Sequence, residues 1–381
     1  MLEYALAGLG MVLNTSLNLG VPGAYPFYKL RKKDTSTLEG FALHYMWLLF
    51  FFLVIQICYY SIGFSIEYYM ALNMAYIISN QVFISTQLKT DGKIIKAVFF
   101  DSGVYLLLLV FITLAYLDLN NKSLENINRF VLFYSLFYVG HSLFKALKIN
   151  KITLLKYYKI IKFSCHLLFS AMLIFFITVS GRFLIEFFLK DFELVGIYSF
   201  YFRLAALVVM IYQIVSIAFF RDIYTLNPKT LDKYFTIFFI GLYLISNLSF
   251  ILSQYIVPFF SDFYKNTIDE YQRVYFILSA QVVFWISSAL MSNIIDREEL
   301  AKKITPLFLV LIILFLSGSY ISKDFLNLSR YTIIHFVIFY IAAMLQIWVL
   351  YKKKIVFRKS AISLLVIFSI TLSLYFTNYS F

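Results

Sequence analysis

Residues 145–181 read KALKINKITLLKYYKIIKFSCHLLFSAMLIFFITVSG. The first 18 of these residues contain six lysines, and an almost unbroken apolar run follows them. A run of about 20 apolar residues is long enough to cross the hydrocarbon core of a bilayer as a helix. Lysine and arginine in short loops stay on the cytoplasmic side. The stretch therefore predicts a membrane-spanning helix that begins at a cytoplasmic loop.

The same pattern recurs along all 381 residues, of which 62% are apolar and 14% charged. Soluble domains have about 25% charged residues, so the sequence predicts an all-α polytopic membrane protein. About twelve helices are expected, at residues 2–24, 41–62, 67–86, 97–117, 127–146, 161–181, 196–219, 234–257, 271–294, 305–322, 332–351 and 360–378. Helical structure is expected because it satisfies every backbone polar group inside lipid.

The basic residues alternate between successive connections. Odd-numbered connections carry 24 Lys and Arg, even-numbered ones carry eight, and Arg203 lies within a predicted helix. By the positive-inside rule the odd connections are cytoplasmic and residue 1 lies outside. The net charge of +13 is then explained by topology and by attraction to anionic lipids rather than by nucleic acid.

The fifth connection is the longest and the most basic. A polar cytoplasmic linker near the middle of the chain is typical of a two-lobed transporter. We therefore expect an N-terminal helical lobe at 1–146, a basic linker at 147–160 and a C-terminal helical lobe at 161–381, arranged as a V-shaped transporter.

Polar side chains share one face in several predicted helices, and polar groups inside lipid usually face the bundle interior or a wet cavity. The candidate binding residues of this kind are Asn14 and Asn18 in the first helix and Asn80 in the third. Asn73 and Tyr76 share the face of Asn80, and Tyr134, Tyr138, His141 and Lys145 line a face of the fifth helix. The alternative is that such residues join helices by hydrogen bonds.

Four ionisable residues are further candidates for the substrate site: Asp101, His166, Arg182 and Arg203. Asp101 has an alternative explanation as the ion-pair partner of a loop lysine such as Lys93 or Lys96, and His166 lies within reach of the inner headgroups. Arg203 lies roughly two turns inside the membrane, where its charge is costly unless it faces water or an anion. Arg203 is therefore the strongest of the four.

No motif for catalysis, metals or cofactors is evident. The two cysteines, Cys58 and Cys165, lie in apolar segments, the four histidines form no cluster with them, and there is no P-loop and no GxSxG motif. We therefore expect no catalytic residues, no metal and no cofactor, and transport that is passive, ion-coupled or pulled by consumption of the product.

Four stretches resemble polysaccharide-export flippases of the multidrug/oligosaccharidyl-lipid/polysaccharide superfamily. They are residues 18–34 (NLGVPGAYPFYKLRKKD), 88–109 (LKTDGKIIKAVFFDSGVYLLLL), 181–224 (GRFLIEFFLKDFELVGIYSFYFRLAALVVMIYQIVSIAFFRDIY) and 273–303 (RVYFILSAQVVFWISSALMSNIIDREELAKK). The third contains an Arg-Phe pair at 182–183 and Gly-Ile-Tyr-Ser at 196–199, in the order and spacing of the family. Two positions depart from the family pattern: Gly181 replaces an acidic residue and Arg221 replaces a proline.

The resemblance implies a protein that moves an oligosaccharide repeat unit, linked to undecaprenyl pyrophosphate, across the bacterial cytoplasmic membrane. Surface polysaccharides such as O-antigen, capsule or a teichoic-type polymer would be built from it. Arg182 and Arg203 carry over as cavity or gate residues for the pyrophosphate. Implied partners are the polyprenyl-linked oligosaccharide, membrane lipids, a coupling cation, and polysaccharide polymerase and chain-length proteins.

In the same alignment Met1 falls just before the second helix of the family. The family begins inside the cell, whereas the charge pattern places residue 1 outside. Both observations indicate that one helix is missing, so we expect an upstream start codon or a truncated gene.

Two other functions fit part of the pattern. A polysaccharide polymerase or glycosyltransferase would use acidic or Arg residues in its outer loops, and the loops at 182–195 and 258–270 contain six acidic residues: Glu186, Asp191, Glu193, Asp262, Asp269 and Glu270. A drug or small-solute exporter of the same superfamily is the second alternative.

Overall fold

The computed structural model describes residues 15–117, 123–147, 149 and 151–377. Within these ranges all regular structure is helical, and the chain divides into two compact units, Met1–Met172 and Leu173–Phe381. The division falls inside one long helix, α8. The prediction of an all-α polytopic membrane protein is confirmed.

In the first unit residues 15–18 are helical and a π-helical turn spans Phe27–Arg31. The helices of this unit are α1 (Val21–Pro26), α2 (Thr35–Leu38), α3 (Ala42–Ile62), α4 (Ile66–Thr90), α5 (Ile94–Asp101), α6 (Gly103–Tyr116), α7 (Leu124–Ala146) and the first part of α8 (Lys151–Leu189).

The second unit contains the rest of α8 and all later helices. These are α9 (Phe192–Ala206), α10 (Val209–Ala218), α11 (Phe220–Thr225), α12 (Pro228–Ile256), α13 (Asp262–Arg297), α14 (Ala301–Ile321), α15 (Leu328–Tyr351) and α16 (Arg358–Phe376). Helix α13 is the centre of this unit, since 89% of its most apolar segment is buried.

Seven described helices are each long and apolar enough to cross a membrane, and two bent pairs, α5–α6 and α9–α10, raise the number to nine. Only 28% of the apolar segment of α12 and of α16 is buried. Exposed apolar surface of this extent is unfavourable in water and normal in lipid. Predicted segments two to twelve each coincide with a helix or a bent pair, but α4 and α7 carry more polar residues and are not among the nine. Twelve membrane crossings therefore stay a prediction.

Helix ends are set by local chemistry that the hydropathy pattern does not contain. Asp191, Asn227 and Ser261 each accept a hydrogen bond from a backbone N–H in the first turn of α9, α12 and α13. Helix α8 begins at Lys151, ten residues before the predicted start, because lysine, leucine and tyrosine continue a helix readily. Residues 151–160 of the expected linker are therefore helical.

Ion pairs join the odd-numbered connections of the first unit. Lys29 pairs with Asp91, Lys156 with Glu39 at 2.5 Å, and Lys159 with Asp34 at 2.9 Å. The Thr37 hydroxyl, the Lys159 ammonium and the Ser36 hydroxyl hold the pKa of Asp34 well below its usual value. The first, third and fifth connections therefore meet at one end of this unit, as the alternation of basic residues predicts.

The second unit shows the same grouping. Arg297 Nη1 donates to the carbonyls of Ile223 and Leu226, both at 2.8 Å, and so joins the ninth connection to the seventh. Asp232 accepts hydrogen bonds from the backbone of Lys359 and Ser360, and so joins the seventh to the eleventh. Odd-numbered connections therefore also share an end in the second unit.

Candidate functional site

A first polar centre lies between α4 and α7. It consists of three residues from each helix: Tyr76, Asn80 and Gln81, and Tyr134, Tyr138 and Ser142. Residues four apart share one face of a helix, so each helix carries its polar residues on one side. The two polar sides pack against each other. Gln81 Nε2 donates to the Tyr134 hydroxyl at 3.2 Å, and the Tyr134 and Tyr138 hydroxyls are 3.0 Å apart.

Three polar atoms of this centre are fully buried and have no hydrogen-bond partner among the described residues: Tyr76 Oη, Asn80 Oδ1 and Ser142 Oγ. The Tyr76 hydroxyl lies close to the Ser142 and Asn80 side chains, but none of these contacts has the geometry of a hydrogen bond. The amide nitrogen of Asn80 is used within its own helix, on the carbonyl of Tyr76 at 2.9 Å. Buried polar atoms without partners cost about 1–3 kcal/mol each, so this arrangement needs an explanation.

Asn73, two turns away on the same face, differs from Asn80. Its oxygen accepts from Gln56 Nε2 at 3.0 Å and its nitrogen donates to the Tyr69 carbonyl at 2.8 Å. Asn73 therefore joins α4 to α3 by hydrogen bonds, which is the structural alternative that the sequence left open for such residues.

A helix break lies against the first polar centre. Helices α5 and α6 meet at Ser102 with a bend of 52°. A Cβ atom on Gly103 would overlap the Tyr134 hydroxyl and the Gln81 amide. Glycine lets the broken helix approach these two groups without displacing the ends of their side chains. Broken helices beside polar groups are typical of binding sites in membrane transporters.

Asn18 lies in a second polar group of the first unit. His44 is buried between the Tyr157 hydroxyl, 3.2 Å from Nδ1, and Asn18 Oδ1, 3.4 Å from Nε2. The carbonyl-type oxygen of Asn18 only accepts, so Nε2 carries the hydrogen and Nδ1 accepts from Tyr157. The neutral ring thus satisfies all three groups, and Asn18 positions the histidine.

A second polar centre, in the second unit, consists of Tyr198, Gln281 and His335. His335 Nε2 lies 2.8 Å from the carbonyl oxygen of Ile177, and Nδ1 lies 3.0 Å from the Tyr198 hydroxyl and 3.4 Å from Gln281 Nε2. Since the carbonyl only accepts, Nε2 carries the hydrogen and Nδ1 accepts from Tyr198. All three side chains are buried.

Aromatic rings enclose this second centre. The Phe315 ring stacks on His335 with an interplanar angle of 10°, and Phe339 contacts the histidine edge to face. Gly181 makes room for the Tyr198 hydroxyl, which a Cβ atom there would crowd. The Gln281 Oε1 and Tyr331 Oη atoms are buried without a partner among the described residues.

The predicted site residues lie in different surroundings. Arg182 is half-buried in α8 and interacts electrostatically with Tyr198, next to the second polar centre. Arg203 is exposed in the last turn of α9, just before the 41° bend to α10, where its charge favours the helix C-terminus. His166 is exposed on α8. Asp101 pairs at 2.6 Å with Lys89, which belongs to the same basic connection as Lys93 and Lys96, so the ion-pair alternative is confirmed with a different lysine.

Asn14 lies outside the described residues. The sequence analysis missed the buried side chains of His44, Gln281, His335 and Ser142. The sequence did indicate such residues, because burying a single histidine or glutamine within an apolar run costs free energy unless its side chain is hydrogen-bonded. Its partner, however, is on another helix and cannot be read from spacing.

No group of three His, Cys, Asp or Glu side chains lies close enough to hold a metal ion in the part of the chain that the structure describes. Both cysteines there are free thiols. The buried polar atoms of the two centres belong to hydroxyls, amides and one imidazole, which are hydrogen-bonding groups without an ionised carboxylate, lysine or arginine among them.

The fold and the two centres define a multi-pass helical membrane protein with polar groups buried between its helices. No protein-family model matches the chain, and neither a curated protein nor a solved structure is significantly similar to it. The resemblance to polysaccharide-export flippases therefore rests on the four stretches of sequence alone.

Proposed function

We propose that this protein is a flippase that moves a lipid-linked oligosaccharide across the bacterial cytoplasmic membrane. The physical task is to carry a polar head through about 30 Å of hydrocarbon. The polyprenyl tail stays in the bilayer throughout. Two lobes that alternately open to either side would perform this task, with no ATP site required in the chain.

The observation that carries the proposal is the pair of buried polar centres. A helical membrane protein with a purely structural role would satisfy its buried polar atoms internally. Here Tyr76 Oη, Asn80 Oδ1 and Ser142 Oγ have no hydrogen-bond partner among the described residues, and they lie beside a broken helix. We interpret these atoms as part of a substrate path that is closed in this conformation. When the path opens, the same atoms can form hydrogen bonds with a polar headgroup.

The arginines are the proposed phosphate ligands. Guanidinium groups bind phosphate oxygens in pairs and keep their charge at all physiological pH values. Arg182, beside Tyr198, and Arg203, at the bend between α9 and α10, are positioned on elements that a transport cycle would move. Their different exposure fits successive contacts with one headgroup.

The test is surface polysaccharide in a strain that lacks the gene and is complemented by variants. Arg203→Ala is expected to reduce surface glycan while the protein stays at normal level in the membrane. Lys265→Ala is the matched control, because it removes one exposed positive charge from an even-numbered connection. Normal surface glycan with Arg203→Ala would exclude a binding role for this arginine.

The enzyme alternative predicts a different intermediate. A defective flippase leaves lipid-linked repeat units in the inner leaflet, whereas a defective polymerase leaves them in the outer leaflet. Leaflet-specific glycosidase digestion of spheroplasts separates the two. A drug exporter of the same superfamily would leave the glycan unaffected and alter resistance instead.

A further inference from the structure

We infer that the first polar centre is a binding site for sugar hydroxyl groups. The inference rests on the proposed function and goes further, since it assigns the glycan of the substrate to a named set of residues in the first unit. The side chains of Tyr76, Asn80 and Ser142 bind the sugar in this site. The neighbouring broken helix bends beside Gly103.

The chemistry of the three free atoms selects the ligand. Asn80 Oδ1 accepts hydrogen bonds only, whereas the Tyr76 and Ser142 hydroxyls both donate and accept. A sugar presents hydroxyls that also donate and accept, so one sugar ring can satisfy all three. A phosphate only accepts, and it would leave Asn80 Oδ1 unpaired.

The groups around the centre disfavour an anionic headgroup. The groups that interact with the Tyr76 and Tyr138 hydroxyls are Ser142, Asn80, Tyr134 and Gln81, all of them uncharged. A buried anion or cation without an opposite charge is costly in a low-dielectric interior. A neutral ligand carries no such cost, so the glycan fits this centre better than the pyrophosphate. A sodium ion can also be held by neutral oxygens, and the experiment below therefore includes a sodium-free condition.

The bend at Gly103 provides a way in. The α5–α6 pair approaches Gln81 and Tyr134 closely at Gly103, where a side chain would displace the ends of these two groups. Movement of α6 about Ser102 and Gly103 would uncover the centre without breaking a continuous helix. The three unpartnered atoms then gain hydrogen bonds from the sugar, so binding favours the open form.

The experiment compares two probes with the full-length protein in lipid nanodiscs. One probe is farnesyl pyrophosphate and the other is farnesyl pyrophosphate linked to N-acetylglucosamine. Wild-type protein is expected to bind the sugar-linked probe more tightly. Tyr76→Phe and Ser142→Ala are each expected to reduce that preference about fivefold, the effect of one hydrogen bond, and to leave binding of the sugarless probe unchanged.

The control variant is Ser135→Ala. Ser135 is also fully buried on α7, but its hydroxyl donates to the Val131 carbonyl at 2.9 Å within the same helix. The Ser135→Ala variant should bind both probes as tightly as the wild type does. Replacing sodium with choline should change none of these values.

Thermal unfolding separates a binding site from a structural contact. Because Tyr76 Oη and Ser142 Oγ make no hydrogen bond of good geometry among the described residues, their removal should leave the melting temperature unchanged or raise it. A lower melting temperature together with unchanged sugar preference would mean that these groups hold helices together, and it would overturn the inference.

The remaining outcomes are also decisive. Equal binding of both probes to the wild type contradicts the sugar site and leaves the flippase proposal standing. Binding of neither probe contradicts the flippase proposal and the sugar site with it. Sodium-dependent binding that the two variants abolish, without any sugar preference, would identify a cation site instead.

Discussion

The carboxylate of Asp232 serves as the N-cap of a helix that is not its own. Oδ1 accepts from the Ser360 backbone N–H at 2.8 Å and from the Ser360 hydroxyl at 2.7 Å, and Oδ2 accepts from the Lys359 N–H at 3.0 Å. No cap from the local chain replaces it at the start of α16. Asp232→Ala therefore removes the acceptor for the first turn of α16.

The expected loss follows from these three hydrogen bonds. Loss of an N-cap costs about 0.5–2 kcal/mol, and a buried donor left unpaired costs about 1–3 kcal/mol. Ser360 is fully buried, so water cannot replace the carboxylate there. We expect Asp232→Ala to lower the free energy of unfolding by about 2–4 kcal/mol. Asp232→Asn, which keeps one acceptor oxygen, should lose about half as much.

The assay is equilibrium unfolding of the purified protein in mixed micelles, followed by tryptophan fluorescence. Hydrogen exchange at Lys359 and Ser360 reports the same change locally and should accelerate in the Ala variant. The matched control is Asp262→Ala at the start of α13, whose 89% exposed side chain pairs with Lys265. This surface pair should contribute less than about 1 kcal/mol.

Equal unfolding free energies for Asp232→Ala and Asp262→Ala would refute the reasoning. So would unchanged exchange at Ser360, because the amide would then have a protecting partner other than Asp232.

Three further predictions concern topology, the helix break and pH. In a background without cysteine, Lys32→Cys and Lys190→Cys should react with an impermeant maleimide from opposite faces of the membrane, and labelling from one face would contradict the alternation. Gly103→Ala should lower the unfolding free energy by about 1–3 kcal/mol through overlap with Tyr134, and adding Tyr134→Phe should recover part of it; no recovery would place the strain elsewhere. The pKa of Asp34 is lower in the folded protein than in the unfolded chain, where it is about 4. The stabilisation by the Asp34 carboxylate is therefore complete above about pH 4 and is lost as the pH falls below that value. Unfolding measured between pH 5 and pH 2 should accordingly show a smaller acid loss for Asp34→Asn than for the wild type, and identical losses would show that Asp34 is not involved.

The positions of the membrane helices could be predicted because lipid demands apolar runs of fixed length. Their ends could not, since hydropathy does not register caps or the helix propensity of basic residues. Helix α8 shows this, because its first ten residues look like a polar loop and are helical. The bends at Ser102 and between α9 and α10 were missed because each half is apolar.

The candidate site could be predicted only within single helices. The spacing of Tyr76 and Asn80 placed them on one face of α4, and the structure agrees. Their neighbour Ser142 comes from α7, and the choice of packing partner depends on the shapes of whole helix faces. Gln281 and His335 are 54 residues apart and gave no local pattern at all.

The most direct test of the proposed function is transbilayer movement in proteoliposomes. A fluorescent farnesyl pyrophosphate linked to N-acetylglucosamine is placed in both leaflets, and the outer pool is destroyed by an impermeant reagent. If the protein is a flippase, the inner pool becomes accessible in vesicles that contain it and stays protected in vesicles without it. Protection of half the probe in both kinds of vesicle would contradict the proposal.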